Sequence, residues 1–335
     1  MNLAPWIERQ RSALLSQNGH AWLLQGPSGL GQYALALELA RAWLCEAPSG
    51  AGACGTCGSC HAIEVRTHAD LCMLMPETTM IELGWPLSEK AQAEVDDKKR
   101  KPSKEIRVDA MRDAVEFSQR TSARGRGKVV VVFPAEQMNH ITANALLKTL
   151  EEPPGDVRFV LATESAHQLL PTIRSRCISH TLQWPPLQEA ESWLAGQAVT
   201  AEQMNLALKA SGGRPEFALT LAQTEGALNR WSAIPHALRM GDVSIFKDWS
   251  AASQIDAIQK VCHDLMVVST GADPRFFPRQ ALQDVRAPMF SLSAWSKELS
   301  QSMKTIDHPF NAGLLTESLV SKAQTVLNSG EPKRP

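Results

Sequence analysis

The chain has 335 residues, with 44% hydrophobic and 21% charged side chains and a formal net charge of −1. That length accommodates two or three domains, and the composition is that of an ordinary globular protein. A near-neutral chain has no whole-molecule field with which to attract nucleic acid, so any such contact needs a local patch or a larger complex.

No stretch reaches the roughly 18 apolar residues of a membrane span. The first residues, MNLAPWIERQRSALL, lack the apolar core of a signal peptide, and a cytoplasmic location is expected. Four of the seven cysteines cluster, which points to a reducing compartment and a metal rather than to disulfides.

In chain order, AWLLQG (21–26) reads as a short buried strand ending in glycine. Gln32 to Cys45 reads as a helix, with Leu35, Leu39 and Trp43 at steps of four and Ala36 and Ala40 beside them. The join is GPSGLGQY (26–33). Gly26 and Gly31 stand where a phosphate loop GxxxxGK[ST] needs them, in the strand–loop–helix context that such a loop requires. Position 32 is Gln where that loop has Lys, and position 33 is Tyr where it has a magnesium-binding hydroxyl.

Residues 46–60 are rich in Gly, Ala and Cys and are expected to be irregular. Cys45, Cys54, Cys57 and Cys60 read C-x8-C-x2-C-x2-C, a spacing that suits one tetrahedral Zn²⁺. Four thiolates leave no open coordination position, so the ion would be structural. An iron–sulfur cluster is the rival, but there the fourth cysteine follows downstream before a proline. Here it lies upstream and His61 follows. Cys72, Cys177 and Cys262 are expected in the core.

Residues 85–104 are polar, with Asp96 and Asp97 running into Lys98, Lys99, Arg100 and Lys101, and are expected to form a mobile surface loop. Val108 to Gln119 is amphipathic, with Met111, Val115 and Ser118 on one face. Arg120, Arg124, Arg126 and Lys128 make a second basic run. Each run is either a solvated face or a DNA contact.

KVVVVF (128–133) reads as a strand buried on both faces, as in a parallel sheet. ATPases of this kind place a metal-binding acid near the end of such a strand, often with a Glu beside it to polarise water. Here those positions hold Phe133 and Pro134, with Glu136 further on. Thr142 to Glu152 is a helix stopped by Pro153 and Pro154. VRFVLAT (157–163) and CISHTL (177–182) complete four expected strands. Strands alternating with helices predict an α/β domain with a parallel sheet up to about residue 185.

Helical patterns follow over 187–225 and 229–328. Ile255, Ile258, Val261, Cys262 and Leu265 make one apolar stripe closed by Gly271, and Leu315, Leu319 and Val326 make another. The tail, 329–335, is expected to be disordered. Trp43 and Trp184 are expected in the core or at a domain junction.

NALLKTLEEPP (144–154), VRFVLAT and TIRSRC (172–177) stand together with the altered glycine loop, the cysteine module, HADL (68–71), SGGRPEFAL (211–219) and HPFNAGLLTESLV (308–320). This combination resembles the clamp-loader family of bacterial DNA polymerase III, among the AAA+ proteins. The resemblance implies an α/β AAA+ P-loop-type domain at 1–185 with a zinc module at 45–60, a small helical lid at 186–228 and an all-α oligomerisation collar at 229–328.

Motor subunits of that family, gamma and tau, keep the loop lysine and the acidic strand end. This chain has neither, and so is similar to the subunit class that organises the pentameric ring without hydrolysing ATP. The implied partners are the gamma/tau ATPase subunits and the delta subunit, the sliding clamp, and primer-template DNA through the assembled complex. Arg176, in Ser175-Arg176-Cys177, would reach in trans into a neighbour's ATP site, with Arg174 as the nearby alternative. Thr163 and Arg214 occupy the sensor positions.

Two other readings stand beside this one. An active AAA+ ATPase of gamma/tau type with an unusual site would turn over ATP in isolation. A zinc-dependent nucleic-acid-binding protein acting alone would bind DNA tightly and in a salt-sensitive manner.

Overall fold

The structure is a computed structural model that describes residues 3–50, 52–285, 287–305 and 311–329. The chain forms two compact units, Met1–Pro185 and Pro186–Pro335.

The first unit opens with α1 (Pro5–Leu15), started by a proline whose fixed φ suits the first helical turn, and buries Trp6, Ile7 and Leu14. Then follow β1 (Ala21–Gln25), α2 (Gln32–Leu44), α3 (Gly58–Glu64), β2 (Leu71–Leu74), α4 (Glu77–Glu82), α5 (Glu89–Asp96), α6 (Val108–Gln119), β3 (Lys128–Val132), α7 (His140–Glu151), β4 (Val157–Thr163), α8 (Pro171–Arg174) and β5 (Ile178–Thr181). The five strands pair in parallel in the order β2-β3-β4-β1-β5. Every residue of β3 is buried, and so are Phe159 to Thr163 of β4, which accounts for their continuous apolar runs.

In β1, Gln25 lies opposite Thr163 on one side and Thr181 on the other. The glycine loop therefore leaves the carboxyl edge of the sheet between the ends of β4 and β5, with β3 one strand further on. Crevices at that edge are where open α/β sheets hold ligands. This is the α/β domain with a parallel sheet that the alternation of strands and helices predicts.

Three local expectations need correction. A fifth strand, β2, escapes a periodicity reading because LCML is only four residues long and lies on the sheet's edge. Residues 46–60 are not irregular to their end: Cys57 caps α3, its sulfur accepting the Cys60 N–H. Residues 85–104 contain α5, capped by Ser88. This segment is held down through Arg100, which donates to Glu77 at 2.8 Å and to Glu94 at 2.7 Å. Trp43 is half-buried under the Arg158 guanidinium, 5.5 Å from its ring centre, and Trp184, 47% exposed, lies one residue before the end of the first unit.

The second unit is helical: α9 (Leu187–Ala195), α10 (Ala201–Ala210), α11 (Pro215–Gln223), α12 (Ala227–Met240), α13 (Ala251–Ser269), α14 (Met289–Lys304) and α15 (Ala312–Leu327). α10 starts on a capping box between Thr200 and Gln203. One apolar cluster joins Ala190, Leu194, Ala207, Leu208, Ala218 and Leu228. A larger one contains the whole α13 stripe, Ile255, Ile258, Val261, Cys262 and Leu265, with Trp231 and Trp295. Of the segment 308–320, residues 308–310 lie outside the described residues, as does the tail from 330.

Candidate functional site

The glycine loop joins the end of β1 to the start of α2. Gly29 and Gly31 take φ of 80° and 98°, in the left-handed region where a side chain is strained, and Gly31 forms the N-cap of α2. The loop is tied on two sides. The Gly26 N–H donates to the Thr163 carbonyl at 3.3 Å, and the Trp6 indole N–H of α1 donates to the Leu30 carbonyl at 3.3 Å.

Inside the loop the chemistry differs from that of a nucleotide site. Gln32 is 2% exposed and turns its side-chain amide back on the loop, with Nε2 donating to the Gly26 carbonyl at 2.6 Å and to the Pro27 carbonyl at 2.7 Å. The group that stands where the lysine would project is a neutral internal cross-link.

Tyr33, one residue on, packs its ring 5.5 Å from that of Phe133, and its hydroxyl accepts from the Trp85 indole N–H at 2.8 Å. Burial raises its phenol above the ordinary value, so it is protonated and a poor metal ligand. Trp85 comes from the segment between α4 and α5, and no local pattern announces its arrival here.

Glu136 replaces neither missing acid. Its carboxylate accepts from the Thr163 hydroxyl at 2.7 Å and from the Glu164 N–H at 3.0 Å, which ties the end of β4 to the segment after β3. In the second unit, Arg214 donates through Nε to the Ser211 carbonyl at 2.7 Å and lies over the Phe217 ring at 4.9 Å.

The four cysteines converge. All their sulfurs lie within 4.8 Å of one another, with Cys45–Cys57 and Cys45–Cys60 at 3.8 Å and Cys54–Cys60 at 4.0 Å. A tetrahedron of thiolates around an ion at a metal–sulfur distance of ~2.3 Å has edges of about 3.8 Å. The N–H groups of Cys54 and Cys57 donate to the sulfurs of Cys45 and Cys54 at 3.2 and 3.4 Å. Hydrogen bonds from Thr56 lead in lowering the Cys54 thiol to about 6. The donor set fits a closed four-sulfur metal centre.

HADL supplies the support of this module. Ser59 of α3 donates through its N–H and hydroxyl to Glu46 at 3.1 and 3.0 Å, and Arg124 donates to the same carboxylate at 2.6 Å. His68 contacts the Ser59 hydroxyl at 3.1 Å and accepts the Asp70 N–H at 3.0 Å. Asp70 is fully buried. It accepts from the Ala123 and Arg124 N–H groups at 2.8 and 2.9 Å, from the Ser122 hydroxyl at 3.0 Å and from Lys128 at 3.2 Å.

Of the second basic run, Lys128 is buried against Asp70, whereas Arg124, paired with Glu46, Arg120, paired with Glu116 at 2.6 Å, and Arg126 are all exposed. Of the first run, Arg100 is occupied as described, and Lys99 pairs with Asp97 at 2.7 Å.

Arg176 sits just past α8 and is half-buried, with Nε donating to Glu151 at 2.6 Å and Nη1 to the Thr172 carbonyl at 2.8 Å. Arg174, in the last turn of α8, is exposed. Glu151 was not among the expected site residues, although it lies within the quoted NALLKTLEEPP.

A parallel α/β sheet, an altered glycine loop and a four-cysteine module define the class, and comparison with known sequences resolves it further. The family described as DNA polymerase III, delta subunit, matches residues 7–186, and the chain belongs to it. The chain is 39% identical over 218 residues to DNA polymerase III subunit delta' of Pseudomonas aeruginosa, covering 64% of this chain and 60% of that protein. It is 36% identical over 229 residues to subunit delta' of Escherichia coli, covering 67% and 62%. Subunit tau of Salmonella typhimurium is 34% identical over 163 residues, 49% of this chain and 21% of that protein. The matched part of the chain thus spans about three fifths of the delta' relatives. Among the described residues no helix is long and apolar enough to cross a membrane.

Proposed function

We propose that this chain is a non-hydrolysing delta'-type subunit of the DNA polymerase III clamp loader. It helps to assemble the pentameric ring with gamma/tau ATPase subunits and a delta subunit, supplies Arg176 in trans to a neighbouring ATP site, and supports opening of the sliding clamp and its loading on primed DNA. The observation that carries this reading is the interior of the glycine loop. Gln32 cross-links the loop from within, and Tyr33 packs on Phe133 where two metal ligands would stand. Removing the cation and both metal-holding groups removes what phosphoryl transfer depends on, which is positioning and charge stabilisation.

The division of labour follows. Residues 1–185 provide the ring-building AAA+ domain, 186–228 a lid and 229–328 a collar. Thr163 and Arg214, at the sensor positions, act structurally, through Glu136 and through Ser211 and Phe217. Zinc held by Cys45, Cys54, Cys57 and Cys60 stabilises its module and takes no part in chemistry. The location is cytoplasmic. DNA is met through the complex.

A guanidinium can bind γ-phosphate oxygens bidentately and stabilise spreading charge, a contribution on the order of 10³–10⁵ in rate. The test is ATP turnover. The isolated chain should show none. In a complex reconstituted with motor and delta subunits, clamp and primed DNA, Arg176→Ala should lower turnover by orders of magnitude while the complex still assembles. Turnover by the isolated chain would favour the active-ATPase reading instead.

A further inference from the structure

The Arg176 side chain is held before any neighbour arrives. Nε and Nη2 both donate to Oε1 of Glu151, the first at 2.6 Å, and Nη1 donates to the Thr172 carbonyl at 2.8 Å, with the Ser175 hydroxyl at 3.4 Å. Two separate elements therefore grip the guanidinium: the last residue of α7 and the body of α8.

The ion pair is open to water, with Arg176 31% and Glu151 49% exposed, and open pairs add little to stability. Moreover, Glu151 ends α7, where the helix macrodipole disfavours an anion. A carboxylate is poorly placed there as a helix residue and well placed as a partner for a cation. What the pair does supply is direction. A free arginine samples many rotamers and gives them up when it binds phosphate, unless they have been given up already.

We propose that Glu151 is the positioning residue of Arg176. With the Thr172 carbonyl it fixes the guanidinium by its Nε–Nη2 edge, so that the donors not engaged there meet a neighbour's triphosphate without a search. This rests on the reading of Arg176 as a finger acting in trans. A guanidinium has five N–H donors, so gripping it through some of them leaves others for phosphate oxygens.

The experiment uses the reconstituted complex with clamp and primed DNA, at saturating ATP, with assembly of each variant verified by size. Wild type is compared with Glu151→Ala, Glu151→Gln, Arg176→Ala and the Glu151→Ala/Arg176→Ala double variant. Glu151→Ala should lower turnover by roughly tenfold to a hundredfold, the scale on which misplacing a catalytic group is felt. Glu151→Gln, whose amide oxygen still accepts from the guanidinium, should recover part of that loss. The double variant should be no slower than Arg176→Ala alone, because Glu151 then has nothing to position.

If Glu151→Ala leaves turnover unchanged or raises it, or if its loss persists in full in the Arg176→Ala background, the proposal fails while the finger stands. If Arg176→Ala itself has no effect, the finger reading falls, and this one with it.

Discussion

The rings of Tyr33 and Phe133 lie 5.5 Å apart at a tilt of 37°, bringing together two side chains one hundred residues apart in the chain. Position 33 lies in the first turn of α2 and position 133 directly follows β3, so in a working nucleotide site of this fold each would contribute an oxygen to magnesium. Here the two changes are complementary. An aromatic pair occupies the space of two oxygens and an ion, and the Trp85 indole N–H satisfies the one polar atom, the Tyr33 hydroxyl. A buried hydroxyl left without a partner would be costly.

Restoring the lysine alone should not restore nucleotide binding. Gln32→Lys is expected to show no saturable MgATP binding up to roughly millimolar concentration by calorimetry, because Tyr33, Phe133 and Trp85 still fill the metal position. Gln32→Ala should destabilise the chain by about 1–3 kcal/mol in denaturant unfolding, from two lost hydrogen bonds to loop carbonyls. Tight MgATP binding by Gln32→Lys would mean that the aromatic group yields readily.

Asp70 and Lys128 form a buried pair, 0% and 5% exposed. Asp70→Asn leaves Lys128 charged and buried without its counter-ion, and should cost roughly 3–5 kcal/mol in urea unfolding. A cost below about 1 kcal/mol would place Lys128 in a far more solvated site than the structure describes.

The same residue governs acid stability. Burial pushes the Asp70 carboxyl up, but the Ala123 and Arg124 N–H groups, Lys128 and Ser122 together pull it below the ordinary value. Glu77 is likewise lowered, chiefly by Arg100. A carboxyl with a depressed folded value contributes stability that is complete above its unfolded value, ~4 for these groups, and that is lost as pH falls through the folded one. Unfolding free energy should therefore hold near neutrality and fall steeply below about pH 4, with a shallower fall in Asp70→Asn. Identical acid limbs for the two proteins would remove Asp70 from the account.

The cysteine module should carry about one zinc per chain by elemental analysis. Chelation, or Cys57→Ser, should lower the unfolding temperature and expose α3 to hydrogen exchange, since Cys57 both lines the centre and caps that helix. Iron with visible charge-transfer absorption in the purified protein would instead assign an iron–sulfur cluster.

Arg100→Ala should free residues 85–104 to thermolysin while leaving the affinity of the assembled complex for DNA unchanged, because its guanidinium is spent on Glu77 and Glu94. A weakened DNA affinity with an intact proteolytic pattern would return this basic run to the DNA surface.

Much of the site is legible in the sequence because its signals are local. A buried strand, a glycine loop and a helix follow one another within 21–45, the cysteines fall within 45–60, and both lie where they were expected. The missing lysine at 32 and the missing acid at 133 are read directly from residue identity. Side-chain partnership between distant segments is not local. Nothing near Trp85 says that it meets Tyr33, nothing near Glu136 that it holds Thr163, and nothing near Glu151 that it grips Arg176. The polar run at 85–104 resembled a loop because its stability comes from Arg100 reaching back to Glu77, an ion pair that hydrophobic periodicity cannot register. Sequence alone determined which chemical groups are present and which are absent, since that is covalent. Only the tertiary structure decided what fills the places of the absent ones, because the parallel order β2-β3-β4-β1-β5 brings the ends of three strands and the first turn of α2 to one edge of the sheet.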